Sequence, residues 1–464
     1  MTMTSSELTI LHDQMDTSTR FLEFGAGAST LYAAGVPSIQ HIDSVESSAA
    51  FINQNLKPNP VISKAIAAGK LLFHVVDIGR TSFWGYPSGF CKKHQWPNYS
   101  LGIFSKKSES VLGIDIGSSA IKVVQIKKKR GRAVLETYGE LALGPYSGLE
   151  VGRATSLSNE KIIEALKDIL REAKTTTSFA GVALPLSSSL VTFITVPVVP
   201  EKQMQEVISL EARKYIPVPM SEVVVDYSPI PKEETYAADD DDQEKQVEKK
   251  TQDYLVVAIH NEYINNYQVI SSGSAIQPSF YEIELFSSIR SVVEQGIQAV
   301  MIIDMGARIT KLYIVERGIL RAAHIINRGG QDITLAISKS LSVSVNEAEN
   351  LKRLYGLNGG PEYKELTEII TINLDYVFYE ANATMLNYQR KYSKNVSKVI
   401  LTGGGVLLKG FTELAKVSFQ TEIEYADPFS RLETPAFFSQ QLTSAGPEFA
   451  VAIGCALRRL SEAD

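Results

Sequence analysis

The chain has 464 residues, 44% hydrophobic and 21% charged, with a formal net charge of −6. That length asks for roughly two to four folded units at about one per 150 residues, and the composition is that of ordinary globular protein. Mild acidity, with Lys127–Arg130 as the one short basic run, argues against direct nucleic-acid binding, which needs clustered Lys and Arg against phosphates. Cys91 and Cys455 stand far apart with no His cluster near them, which argues against a disulfide framework or zinc site and fits a reducing cytoplasm. No apolar run reaches the ~18 residues of a spanning helix. The N-terminus lacks a basic region ahead of an apolar core, so no secretion signal is expected.

Taken in chain order, the first elements are a strand at Phe21–Phe24 running into Gly25-Ala-Gly27, a second apolar stretch closed by Glu46, and a third strand, Leu71–Val76, ending at Asp77. A glycine turn after a strand with an acidic residue closing the next one is a nucleotide-fold signature. With Trp84-Gly-Tyr-Pro87 and Trp96-Pro-Asn-Tyr99, residues 1–100 resemble the first half of an S-adenosylmethionine-dependent methyltransferase. The resemblance implies a partial Rossmann-like segment of about three βα units. That is too little for a complete sheet, so a truncated segment without cofactor binding is expected, a true fusion or a gene-model artefact.

Next comes a strand, Val111–Ile114, that enters the turn Asp115-x-Gly117-Ser118-Ser119, and a second alternating strand carrying Lys122. Lys127-Lys128-Lys129-Arg130 reads as a solvated hairpin tip before the third strand, Ala133–Glu140, and a helix over Asn159–Ala173 follows. Strands at Val223–Tyr227 and Tyr254–Ile259 flank an acidic stretch, residues 233–252, which contains Asp239–Asp242 and almost no apolar residue. That composition predicts a disordered loop inside one domain.

The strand–turn–strand then repeats as Val300–Asp304, Asp304-x-Gly306 and Thr310–Val315, with Asp, Gly and Lys at the same offsets, Lys311 matching Lys122. A third strand, Leu320–Ile326, and a helix, Gly330–Ser340, complete the second copy. Two copies predict two similar α/β lobes with a cleft between them. Each Asp-x-Gly turn places a carboxylate at the sheet's mouth, and its glycine lets backbone N–H groups approach a phosphate. On this reading Asp115 and Asp304 hold Mg2+ through its waters and Lys122 neutralises phosphate charge. A third turn, Thr402-Gly403-Gly404-Gly405, ends the strand Val399–Leu401 and strips the loop of side chains so that a bulky group can lie against the backbone.

Together these turns resemble the two phosphate loops and the adenosine loop of the actin, sugar kinase and Hsp70 superfamily. Ala450–Ala456 is similar to that superfamily's connecting helix, and Asn346–Gly356 resembles the helix whose Glu349 and Lys352 would touch ribose and base. Within the superfamily, residues 102–464 resemble the type IV pilus assembly family PilM and its relative FtsA, on Phe104–Lys122 and on Glu211-Ala-Arg-Lys-Tyr215-Ile-Pro217-Val-Pro219 with Asp226-Tyr227.

The resemblance implies an actin-like fold of duplicated ribonuclease H-like lobes with an FtsA-type insert subdomain at about residues 184–277. It implies ATP and Mg2+ as ligands, with phosphates held by Gly117, Ser118, Ser119, Gly306, Arg308 and Thr310, and the nucleoside against Gly403, Gly404 and Gly405. It further implies a cytoplasmic scaffold at the inner face of the inner membrane. Such a scaffold would take the N-terminal cytoplasmic peptide of a PilN-like membrane protein into the insert subdomain, contact other pilus platform proteins, and enter no membrane itself. Self-association stays open. Arg308 stands where small residues are usual, and no residue is identified to activate water, so ATP binding is expected with slow or no hydrolysis. FtsA's C-terminal membrane helix has no counterpart in Arg458–Asp464. An FtsA-like division adaptor and a small-molecule kinase of the same superfamily remain as alternatives.

Overall fold

The computed structural model describes residues 20–24, 41–46, 71–75, 110–230, 251–294, 296–359 and 364–462. The chain divides into two compact units, residues 1–88 and 89–464.

In the first unit, β1 (Arg20–Phe24), β2 (His41–Glu46) and β3 (Leu71–Val75) pair in parallel in that order. Gly25, Gly27, Asp77 and residues 84–99, which carry the rest of the methyltransferase resemblance, lie outside the described residues, as does Cys91.

The second unit holds the duplication. In the first lobe, β4 (Ser110–Ile116), β5 (Ala120–Lys129) and β6 (Arg132–Ala142) form an antiparallel meander. Arg130 and Gly131 both have positive φ (51° and 79°), the turn chemistry that closes a two-residue hairpin. The meander's tip is therefore the Lys-rich run, and Lys127 pairs there with Glu136 at 2.9 Å. Helix α1 (Asn159–Glu172) buries Ala165, Leu166 and Ile169 on the sheet, in one core with Ile114, Ile121 and Val123.

Strand β7 (Phe179–Leu184) leads into the insert, where β8 (Ser189–Pro197), α2 (Glu201–Ala212), β9 (Val223–Pro229) and β10 (Thr251–His260) make a three-stranded antiparallel sheet ordered β8-β10-β9. Its own core is Ile194, Val196, Met204, Ile208, Tyr254 and Val256. Thr251 and Gln252, assigned from sequence to the acidic loop, instead belong to β10: they pair with Pro197 and Val196 of β8, which satisfies backbone groups that composition alone does not see. The remainder of that loop, residues 233–250, lies outside the described residues.

After the insert, α3 (Asn261–Gly273), β11 (Gln277–Ile283) and α4 (Glu284–Val292) complete the lobe, whose sheet order is β11-β7-β4-β5-β6.

The second lobe repeats this order with β12 (Ala299–Met305), β13 (Thr310–Glu316), β14 (Ile319–Ile326), β15 (Val396–Thr402) and β16 (Glu422–Tyr425), arranged β14-β13-β12-β15-β16. In each lobe the first strand is flanked by an antiparallel second and a parallel fourth. Helices α5 (Gly330–Leu341), α6 (Val345–Tyr355), α7 (Lys364–Tyr392) and α8 (Phe411–Phe419) cover the second sheet. The connecting helix α9 (Ser439–Glu462) then returns to the first lobe and packs Phe449, Ala452 and Ile453 on Val124 and Tyr138. This duplicated pair of lobes is the actin-like fold. No helix among the described residues is long and apolar enough to cross a membrane.

Candidate functional site

The two Asp-x-Gly turns fold alike. Gly117 N–H donates to Ala120 O at 3.0 Å and Gly306 N–H to Ile309 O at 2.9 Å. In both copies the Asp faces a lysine across the hairpin, Asp115 opposite Lys122 and Asp304 opposite Lys311. Strict strand register, with a period of two, carries each lysine to the same face as its carboxylate.

The two copies then diverge. Lys122 Nζ lies 3.9 Å from Glu140 Oε1. Burial opposes its charge, but Glu140 and Asp115 outweigh that and hold the ammonium above its ordinary value. Lys311 Nζ donates to Glu284 Oε2 at 2.6 Å and pairs with Asp304 Oδ2 at 2.8 Å. Here too burial opposes the charge, and Asp304 with Glu284 hold the ammonium well above its ordinary value. Glu284 comes from the start of α4, and its other oxygen accepts the Leu186 N–H at 2.8 Å, at the root of the insert. Burial pushes the Asp115 carboxyl up to about 6, with Glu284 and Asp304 adding to the shift against Lys122 and Lys311. A carboxyl that titrates near neutrality is suited to accept or release a proton there.

Asp304, expected from sequence to hold Mg2+ through its waters, has its carboxylate paired with Lys311. Among the described residues no three His, Cys, Asp or Glu side chains converge as metal ligands. A Mg2+ ion held by the protein at Asp304 does not fit these residues.

The remaining candidates sort clearly. Ser118 O and Ser119 O accept from Thr155 N–H (2.8 Å) and Leu143 N–H (2.9 Å), so this turn is tied back onto its own lobe. Arg308 is exposed at the tip of the second turn. Thr310 points inward instead: its hydroxyl donates to Arg328 O at 2.8 Å, and the residue is fully buried. The start of α5 lies on the second turn, where Gly330 N–H donates to Gly306 O (3.0 Å) and Gln331 N–H to Ala307 O (2.9 Å). Glycine at 403, with φ 84°, is required for packing, since a Cβ there would sit 2.6 Å from Met305 O and 2.7 Å from Asp304 Oδ1. Gly405 likewise abuts Met305, and Gly404 faces Glu448. The glycine loop thus lies against the end of the strand that carries Asp304.

Glu349 and Lys352 are brought together on α6. Lys352 Nζ reaches Glu349 Oε2 (2.7 Å), Thr334 Oγ1 (2.8 Å) and Gly330 O (3.0 Å), while Arg353 Nε bonds Glu349 Oε1 (2.6 Å). Burial alone would raise the Glu349 carboxyl, but Lys352 and Arg353 outweigh it and bring it down to about 2. Its ionised form therefore contributes stability above pH ~4.5 that is lost as pH falls towards 2, about 3 kcal/mol in all. Chemical denaturation across that window should show this loss in the wild type and a shallower slope in Glu349→Gln. Equal slopes would remove the assignment.

Sequence reasoning missed the segment that closes over this helix. Ala154 N–H donates to the Gln331 side-chain oxygen at 2.7 Å, joining the first lobe to the second, and a Cβ on Gly152 would lie 3.0 Å from Arg353 Nη2. Glu150, Gly152, Arg153, Gln331, Thr334 and Glu349 line a shallow recess between this segment and the α5–α6 face. Glu284 and Gln331 carry no local motif. Lys311 did carry a signal, its offset from Asp304 matching that of Lys122 from Asp115.

The comparisons agree with this architecture. A family model described as Type IV pilus assembly protein PilM matches residues 113–460. A solved structure, the PilM-PilN type IV pilus biogenesis complex, superposes with a TM-score of 0.64 at 25% identity, covering 75% of this chain and 98% of that one. Two cell division proteins FtsA also match. The one from Streptococcus pneumoniae serotype 2 (strain D39 / NCTC 7466) is 25% identical over 197 residues, 38% of this chain and 43% of that protein. The one from Enterococcus faecalis (strain ATCC 700802 / V583) is 27% identical over 161 residues, 30% of this chain and 36% of that protein. The matched stretch spans less than half of either FtsA.

Proposed function

The chain belongs to the PilM family of type IV pilus assembly proteins, and from that premise we propose that it is a nucleotide-binding scaffold of the pilus inner-membrane platform. It takes the N-terminal cytoplasmic peptide of a PilN-like membrane protein at its insert subdomain, and membrane attachment comes through that partner. The observation that carries this reading is the insert itself. It has its own core and an edge strand, β9, that pairs on one side only among the described residues, and it stands on the Leu186–Glu284 bond next to the two Asp-x-Gly turns. An extended peptide can add to such an edge by main-chain hydrogen bonds, with Val224 (51% exposed) available for side-chain contact. The similar PilM-PilN complex supports the choice of partner.

In the cleft, the backbone of the Gly117–Ser119 and Gly306–Arg308 turns would receive the phosphates of ATP, with Lys122 supplying positive charge. The nucleoside would lie between the α6 face of Glu349 and Lys352 and the Gly403–Gly405 loop. ATP contributes the phosphate charge that draws the lobes together. The chain's own part is to orient it, and the Glu284 bond to Leu186 gives cleft closure a route to the insert.

Calorimetric titration of the full chain with the PilN-like peptide, with and without ATP, tests this. Saturable peptide binding whose affinity changes with ATP is expected. Tight ATP binding with no peptide binding would instead favour the FtsA-like division role, to which the two FtsA matches point.

A further inference from the structure

The pairing of Asp304 with Lys311 has a counterpart in metal sites. Lys311 is 7% exposed, and its ammonium stands 2.6 Å from Glu284 Oε2 and 2.8 Å from Asp304 Oδ2. The two carboxylates come from different parts of the fold. Asp304 ends the first strand of the second lobe, and Glu284 opens the helix that leaves the first. Two carboxylates converging from separate elements are an arrangement that an oxygen-seeking divalent cation could bridge with waters completing its shell. An ammonium is a compact point charge with several donors, and it fills the same place without needing a defined ligand geometry.

The equivalent lysine of the first copy does not do this. Lys122 faces Asp115 across its hairpin but stands 3.9 Å from Glu140, so the bridging role is particular to the second turn.

We propose that the Lys311 ammonium is the resident cation of this cleft, occupying the place between Asp304 and Glu284 where a divalent metal would stand, so that the chain holds no Mg2+ there. The proposal concerns the same cleft as the nucleotide reading but is decided by metal alone. The lysine neutralises Asp304, ties the two lobes across the cleft floor, and holds one oxygen of Glu284, whose other oxygen accepts the Leu186 N–H at the root of the insert. It is a positioning residue: it acts through the two carboxylates it holds.

The test is a titration of the full chain with Mn2+ in the absence of nucleotide, read by the loss of free-ion electron paramagnetic resonance signal. The wild type should show no saturable site in the cleft. Lys311→Met leaves two carboxylates facing each other with no cation, and it should gain a Mn2+ site about tenfold or more tighter than any in the wild type. Its thermal midpoint should rise with Mn2+ while that of the wild type stays level, and Asp304→Asn added to Lys311→Met should abolish both gains. Saturable Mn2+ binding by the wild type that Asp304→Asn removes would overturn the proposal, as would a folded Lys311→Met that takes up no more Mn2+ than the wild type.

Should Lys311→Met not fold, the wild type and Asp304→Asn still decide the matter: absence of any Mn2+ site that depends on Asp304 supports the resident lysine, and its presence refutes it. ATP titrations run in parallel separate the two ideas. Failure to bind ATP would remove the nucleotide reading and leave the Mn2+ result standing by itself.

Discussion

Replacing Gly454 by valine is expected to remove the folded state of the second unit, or to lower its stability by more than about 4 kcal/mol. Gly454 lies in α9 where that helix crosses α4, and a Cβ at this position would stand 1.9 Å from Ser287 O and 2.4 Å from its carbonyl carbon. Both contacts are backbone, so no rotamer change relieves them, and two packed helices would have to separate. The same crossing carries a buried polar network. Arg290 and Arg458 both bond Glu282, and Ser287 donates to Glu282 Oε2 at 2.6 Å. Separation would leave these charges unpaired, adding to the penalty. Cys455 sits in this network, its thiol pushed up to about 12 by burial, which keeps it an inert packing residue. Gly296→Ala is the control, because nothing stands within 4 Å of a Cβ there. Thermal unfolding by circular dichroism checks both variants, and a Gly454→Val midpoint within about two degrees of the wild type would contradict the packing described.

The second large effect runs the other way. Asp115→Asn should stabilise the unliganded protein at pH 7 by about 3 kcal/mol, the equivalent of a carboxyl raised from 3.8 to about 6. The folded state favours the protonated acid, because ionising a shielded carboxyl near Glu284 and Asp304 is costly. The wild type is therefore most favoured by this group below pH ~4, and it loses that contribution as pH rises through 6. The amide carries no charge and should show no such loss. Urea unfolding between pH 4 and 7 would display a falling wild-type curve and a flatter variant. Parallel curves would mean that Asp115 is solvated like any surface carboxylate. Retaining an acid that destabilises the empty cleft is the pattern of a residue kept for ligand chemistry.

Local and repeated features were legible before any coordinates. The Asp-x-Gly turns at 115–117 and 304–306, their lysines and the strands around them carry their geometry in residue order, because a hairpin is fixed by register and by a turn of a few residues. The helices read from sequence at 159–173 and 330–340 form over 159–172 and 330–341. Thr251 and Gln252 were misplaced for the opposite reason. Their strand pairing with Val196 and Pro197 is long-range, and their polar composition points to a loop.

Side-chain destinations were less accessible. Thr310, Glu349 and Lys352 each have a residue type suited to a nucleotide, yet Thr310 is spent on Arg328 O, and Glu349 and Lys352 are spent largely on each other and on α5. Sequence spacing says which face a residue takes but not which neighbour reaches it first. By itself the sequence determined the duplicated lobes, the family and the three glycine-bearing turns, since these rest on patterns repeated within short stretches. Only the tertiary structure decided that Lys311 stands between Asp304 and Glu284 and that the 150–154 segment clasps Gln331 across the cleft. Those contacts join residues remote in the chain, where packing of whole lobes, and no local propensity, sets the distance.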